Sequence, residues 1–74
     1  MRMYFEMYEL LTEEEAFTRQ PQEIRVEISS EDEANTLLQQ YEPLFEGRKY
    51  EARIHYCYHE EGKPCEVKIL KRVE

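Results

Sequence analysis

The chain has little glycine and aspartate, and these shortages exclude several kinds of catalytic site. Its 74 residues include two glycines, Gly47 and Gly62, so no glycine-rich loop is present to cradle the phosphates of a nucleotide. Asp32 is the only aspartate, and no two carboxylates are predicted to face inward together, as general acid–base catalysis requires. The sequence therefore predicts a protein that is not an enzyme and that uses no cofactor.

Long hydrophobic runs are also missing. The N-terminal stretch MRMYFEMYELL alternates apolar and polar residues and includes Glu6 and Glu9, which predicts neither a signal peptide nor a membrane span. Without an export signal, Cys57 and Cys65 are expected to be thiols in a reducing compartment. The resulting prediction is a cytoplasmic location without membrane contact.

Positive charge is scarce. Ten basic residues stand against seventeen acidic ones, and residues 1–33 hold ten of the acids but three of the bases. The acidic excess lies in two runs, 13–15 and 31–33. A chain with a net charge of −7 is repelled by phosphate backbones, which argues against a nucleic-acid binder. The two runs either attract a basic protein partner or are solvated residues of a loop and of a helix start.

Regular patterning is what the chain does contain. Apolar and polar residues alternate in four segments, which predicts strands at 1–11, 23–28, 50–58 and 65–73. A chain of this length makes one domain, residues 1–74. Small domains often rely on a disulfide, a metal or an oligomer for stability.

One helix is predicted, over residues 31–41. Apolar side chains recur there at helical spacing, and Ser30 followed by Glu33 forms a capping box. Pro43 is expected to end the regular helix. Residues 12–22 are predicted as loop, or as one helical turn capped by Thr12 together with Glu15. The layout is therefore an α+β fold of order β-β-α-β-β, with a four-stranded antiparallel-rich sheet and one helix packed on one face.

The hairpin between the last two strands has two possible registers. A loop of two or four residues sets Ile54 opposite Ile69 and Tyr56 opposite Val67. These apolar residues then share the face that the helix covers, and Leu70 lies on the other face. A three-residue loop ending in Gly62 sets Cys57 opposite Cys65 and mixes the faces. The first register is favoured, because exposing an apolar set costs about 1.5–3 kcal/mol per side chain. It places the two cysteines on opposite faces, where no disulfide can join them.

The segment HYCYHEEGKPCEV, residues 55–67, is the one stretch rich in metal ligands. His55, Cys57 and His59 lie on one side of the predicted strand, but its two histidines are about 13 Å apart, too far to share an ion. With Cys65 on the other face, two ligands remain. No cleft or oriented third residue is predicted beside Cys57, as a reactive thiol needs. The segment is therefore predicted to bind no metal and to catalyse nothing.

The sheet face that the helix leaves uncovered, called the open face below, is one predicted interaction surface, and the acidic N-terminal half is the other. Tyrosine and arginine are common anchors of protein interfaces. The predicted function is that of a small acidic adaptor or inhibitor that binds a protein, a basic protein being one such partner. The residues predicted to contact it are Tyr4, Tyr8, Glu13, Glu14, Glu15, Arg53 and His55.

Three other interpretations stay open. The charges of the open face can form cross-strand ladders that merely stabilise an exposed sheet. A free sheet edge or the open face can pair two copies of the chain, as a homodimer or as a structural subunit of a homo-oligomer. The open face can also stack single-stranded RNA, through the residues Tyr4, Tyr8, Arg53, His55, Lys68 and Arg72.

Overall fold

A computed structural model describes all 74 residues and confirms the α+β prediction. In chain order, the elements are β1 (Arg2–Glu9), α1 (Glu13–Thr18), β2 (Glu23–Ile28), α2 (Glu31–Tyr41), a 3₁₀ turn (Glu42–Phe45), β3 (Tyr50–Cys57), a second 3₁₀ turn (His59–Glu61) and β4 (Glu66–Val73). The sheet has the order β2-β1-β3-β4, and every neighbouring pair of strands is antiparallel. None of the helices combines the length and the apolar character needed to cross a membrane.

The core lies between the two central strands and α2. The alternation of β1 turns Phe5 and Met7 toward the helix, and both are fully buried. Ile54 of β3 is also fully buried beside them, and Phe5 stacks on Tyr41 at a centroid distance of 6.5 Å. Burying side chains of this size stabilises the fold by about 1.5–3 kcal/mol each.

The helix α2 has the predicted bounds. The Ser30 hydroxyl accepts a hydrogen bond of 3.3 Å from the backbone N–H of Glu33, which is one half of the predicted capping box. Pro43 converts the chain to a 3₁₀ turn, as the lost backbone donor requires. Phe45 of that turn is fully buried, whereas Leu44 is exposed.

The acidic residues 13–15 are helical, so the prediction that they lie in a loop is wrong. They form the first turn of α1, where Thr12 and Glu15 make a complete capping box with two bonds of 3.2 Å. A carboxylate in this first turn is also favoured by the helix dipole. The alternative of a short helical turn capped by Thr12 is the one that the structure adopts.

The predicted hairpin register is wrong at its loop end. From Tyr50↔Val73 to Ala52↔Lys71 the strands pair as predicted, but a bulge follows Ala52, and from Arg53 onward the pairing shifts by one residue. Gly62 explains the shift, because its φ of 70° supplies the left-handed position that this turn needs. The bulge adds one residue to the edge strand β4, so that the turn at Gly62 and the pairing near Tyr50 can each keep its own register.

The shift changes which residues of β4 are exposed. Val67 now pairs with His55 and Ile69 with Arg53, so both apolar side chains lie on the open face. They are about half exposed, at 45% and 50%. The prediction that α2 covers them is therefore wrong, whereas Leu70, predicted on the open face, packs against the core.

Candidate functional site

Glu6 organises the centre of the open face. Its carboxylate accepts a hydrogen bond of 2.9 Å from Arg53 Nε, and it lies 3.2 Å from Arg25 Nε and 3.3 Å from His55 Nδ1. Three side chains from two neighbouring strands thus converge on one carboxylate. The charge ladder predicted for this face is present, with Glu6 as its hub.

The two predicted tyrosines are covered by the same ladder. The guanidinium group of Arg25 lies 4.2 Å from the ring centroid of Tyr4, and that of Arg53 lies 5.1 Å from the ring centroid of Tyr8. The Tyr8 hydroxyl donates a hydrogen bond to Glu51. Burial, and then this bond, raises the pKa of Tyr8, while the same bond lowers the pKa of Glu51. These rings are therefore occupied within the fold.

Of the six residues proposed for RNA, five lie on the open face and one, Lys68, does not. Lys68 reaches the start of α2, where its Nζ donates to Glu31 Oε1 at 2.7 Å, so it does not join the open face. Arg72 donates to Glu51 at 2.7 Å. Arg53 is paired with Glu6 as described above. The cations of this set are thus neutralised by carboxylates of the chain itself, which leaves little attraction for a phosphate backbone.

His55 has one unpartnered nitrogen. Its Nδ1 faces Glu6, but its Nε2 is buried and makes no hydrogen bond. The ring lies edge-on to Tyr4 at a centroid distance of 6.2 Å. Because this nitrogen is buried, a partner cannot reach it at the surface.

A buried ion cluster ties α1 to the end of the sheet. The Glu9 side chain is only 3% exposed, and it accepts two hydrogen bonds from Arg19, at 2.7 and 2.6 Å. Arg48 and the backbone N–H of Gln22 also donate to it, at 3.1 and 3.2 Å. The bond from Arg19 is the main reason that the pKa of Glu9 falls to about 2. The only sequence signal for this cluster was an acid at an inward position of β1.

The helix α1 presents an aromatic side chain to solvent. It buries none of its residues, and Phe17 is 91% exposed. Glu13 and Glu14 lie four and three residues before Phe17, so all three share one side of the helix. These three residues are called the α1 surface below. Glu13 and Glu14 were predicted from the sequence as contact residues. The helix α1 is too short for its residue pattern to reveal that the ring of Phe17 is exposed.

Unpaired charge on the molecule is mostly acidic. Nine of the seventeen acidic residues take part in ion pairs and eight do not. Among the ten basic residues, only Lys49 and Lys63 have no acidic partner. The α1 surface contributes Glu13 and Glu14 to the unpaired acids. Most of the net negative charge is therefore displayed as free carboxylates.

Both cysteines and one histidine meet at the tip of the hairpin, contrary to prediction. Cys57 Sγ lies 3.1 Å from His59 Nδ1, and Cys65 Sγ lies 3.3 Å from His59 Nε2. One ligand atom from each of the three residues lies within 4.8 Å of the others. The cysteines were predicted on opposite faces because of the favoured register, and His59 was predicted on the strand; the bulge and the 3₁₀ turn overturn both expectations.

These three residues are the ones that could hold a metal ion. Both cysteines are free thiols, partly accessible to solvent, and His59 is exposed. Comparison of the chain with protein-family models, with curated proteins and with solved structures finds no match.

Proposed function

We propose that the protein is a non-catalytic adaptor or inhibitor that binds a basic protein through the α1 surface, in its acidic N-terminal half. The observation that carries the proposal is Phe17, which stands 91% exposed on a helix that buries nothing. A helix of six residues is too short to be stable by itself in water. Its order is maintained by contacts at its two ends, while its outward side is left for another molecule.

The aromatic ring supplies the affinity. Transferring a phenylalanine side chain from water into an apolar pocket is worth about 1.5–3 kcal/mol. A few large side chains of this kind carry most of the binding energy of an interface, and aromatic residues are enriched among them. Phe17 is the most exposed of the large apolar residues, so it is the anchor of the proposed contact.

The two acidic residues determine which partner is preferred. Glu13 and Glu14 make no ion pair within the chain, and they flank Phe17 on the same side of the helix. Complementary charge accelerates association and disfavours acidic competitors. The partner surface is therefore an apolar pocket bordered by lysine or arginine.

The helix is held ready for this contact. The capping box of Thr12 and Glu15 fixes its first turn, and the two bonds from Arg19 to the buried carboxylate of Glu9 fix its end. A rigid element loses less conformational entropy on binding than a loop does. The fold thus presents the α1 surface in one orientation.

Site-specific photo-crosslinking followed by binding measurements tests the proposal. A benzoylphenylalanine at position 17 should crosslink a basic protein in native lysate, and the same group at Leu44, which is exposed elsewhere, should not. With the purified partner, Phe17→Ala should weaken binding at least about tenfold. Glu13→Gln with Glu14→Gln should slow association and flatten its dependence on ionic strength. Equal affinities for wild type, Phe17→Ala and the matched control Leu44→Ala would refute the proposal.

A second candidate is self-association along β4. This strand is a free sheet edge, and its residues Val67 and Ile69 expose about half of their surface. Pairing two such edges would satisfy the unpaired backbone groups and cover the apolar side chains. Sedimentation equilibrium of wild type and Ile69→Lys tests it: a dimer that the substitution dissociates would support the edge, and a wild-type monomer at high concentration would exclude it.

A further inference from the structure

We propose that Cys57, His59 and Cys65 bind one zinc ion at the tip of the β3–β4 hairpin, with the fourth coordination position open. The two sulfurs and the imidazole lie within 4.8 Å of one another. Two thiolates and an imidazole form a donor set that prefers zinc over magnesium or calcium, which favour oxygen ligands. This site is independent of the α1 surface.

The distances fit tetrahedral coordination. Zinc–sulfur and zinc–nitrogen bonds of about 2.3 and 2.0–2.1 Å place neighbouring ligand atoms about 3.6 Å apart. His59 Nδ1 lies 3.1 Å from Cys57 Sγ and 4.0 Å from Cys65 Sγ, on either side of that value. These two nitrogen–sulfur distances need adjustments of about half an ångström. The two sulfurs, at most 4.8 Å apart, need to approach by no more than about 1 Å, which is within the reach of side-chain rotation.

The backbone of the hairpin assembles these ligands. The shifted register pairs Tyr56 with Glu66, so the next residues outward, Cys57 and Cys65, stand opposite each other. The 3₁₀ turn then curls His59 back over them, and Gly62 closes it with a bond of 3.1 Å to the His59 carbonyl. The ligands are therefore positioned by main-chain geometry rather than by long flexible side chains.

The charge around the site is nearly balanced before an ion binds, so it does not repel a cation. Glu60 and Glu61 follow His59 directly, and they already bind Arg2 at 3.5 Å and the amino group of Met1 at 2.6 Å. Two thiolates add negative charge to this end of the sheet, which a divalent cation neutralises. With three protein ligands, the arrangement has the form of a zinc site that keeps a position for water or an incoming ligand.

Cobalt substitution tests the site directly. Tag-free, fully reduced protein is titrated with Co²⁺, and the expected result is one ion per chain with thiolate-to-cobalt charge-transfer bands and the visible bands of tetrahedral cobalt. Zn²⁺ should displace the cobalt and raise Tm by at least about 5 °C, because an ion that binds only the folded state stabilises it. Cys57→Ser and Cys65→Ser should each abolish the cobalt spectrum, and His59→Ala should weaken binding at least about tenfold. His55→Gln, which removes the other histidine, should bind as wild type does.

Several results would overturn the proposal. The cobalt titration would do so if it gave no charge-transfer bands or a stoichiometry of half an ion per chain. Unchanged cobalt binding by Cys65→Ser would do so as well, and so would a wild-type protein that binds Cu(I) but not Zn²⁺. Alkylation of the wild-type thiols gives a readout that does not depend on the folding of a variant. Zinc should slow iodoacetamide modification of both cysteines together, and equal rates with and without zinc would contradict the site.

Discussion

Arg19 donates two hydrogen bonds of 2.7 and 2.6 Å to the carboxylate of Glu9, which is almost completely buried at the end of β1. This pair joins a helix that buries nothing to a sheet that contains most of the core. Arg48, from the loop before β3, donates to the same carboxylate at 3.1 Å. The three side chains thus fix α1, and with it Phe17, relative to the sheet.

Arg19→Ala is expected to lower the thermal stability of the protein. Removing the guanidinium group leaves the Glu9 carboxylate buried with only Arg48 to compensate its charge, and an uncompensated buried charge is strongly destabilising. We expect Tm to fall by about 5 °C or more in a thermal melt. Arg2→Ala, which breaks the exposed pair with Glu60, is the matched control and should leave Tm unchanged. Similar melting of the two variants would contradict the structural role of the Arg19–Glu9 pair.

Acid is expected to destabilise the fold through the same carboxylate. The pKa of Glu9 is lowered from 4.5 to about 2, so its ionised form is favoured in the folded state. Its contribution to stability is therefore complete above pH 4.5 and is lost as pH falls from 4.5 through 2. The lowered pKa of Glu51 acts in the same direction. Urea midpoints measured across this range should fall steeply for wild type and less steeply for Glu9→Gln. The same pH dependence in both proteins would show that Glu9 does not cause the loss of stability.

The bulge after Ala52 predicts which isoleucine of the hairpin is structural. Ile54→Ala should cost about 2–5 kcal/mol of unfolding free energy, because Ile54 is fully buried. Ile69→Ala should cost less than about 1 kcal/mol, because Ile69 is half exposed on the open face. Urea denaturation of both variants measures the difference. Equal costs would mean that the two residues pair across one buried face, in the register without a bulge.

The three acids of α1 should separate into two groups. Glu15 caps the helix and lies 3.0 Å from Arg19, so Glu15→Ala should lower Tm by a few degrees. Glu13→Gln and Glu14→Gln should lower Tm clearly less than Glu15→Ala does, because neither side chain is bonded within the chain and each contributes only through the helix dipole. A thermal melt of each variant decides this. A fall in Tm as large as that of Glu15→Ala would show that these acids are needed for the helix and are not free for a partner.

Local chemistry explains why much of the fold was predictable. The strands followed from alternation over six to eight residues, and α2 from a stretch that begins after Ser30 and is ended by Pro43. Each of these signals acts between residues that are close in sequence. The capping pair of Thr12 and Glu15 is also a local signal, and it indicated a possible helical turn at α1. The rest of this helix is too short to show a pattern, so the sequence left loop and helix as alternatives.

The candidate site was less predictable, because it depends on a choice between distant contacts. The sequence by itself determined the number of strands, the position of α2, the excess of acid and the supply of two thiols and two histidines in one hairpin. Tertiary structure decided the bulge after Ala52. The turn at Gly62 favours one register of the β3–β4 pair and the pairing near Tyr50 has another, and the bulge joins the two. That single-residue shift places Ile69 on the open face and Cys57 opposite Cys65. The contacts of Glu9 with Arg19 and Arg48 likewise exist only once the chain has folded, because they join residues 10 and 39 positions apart.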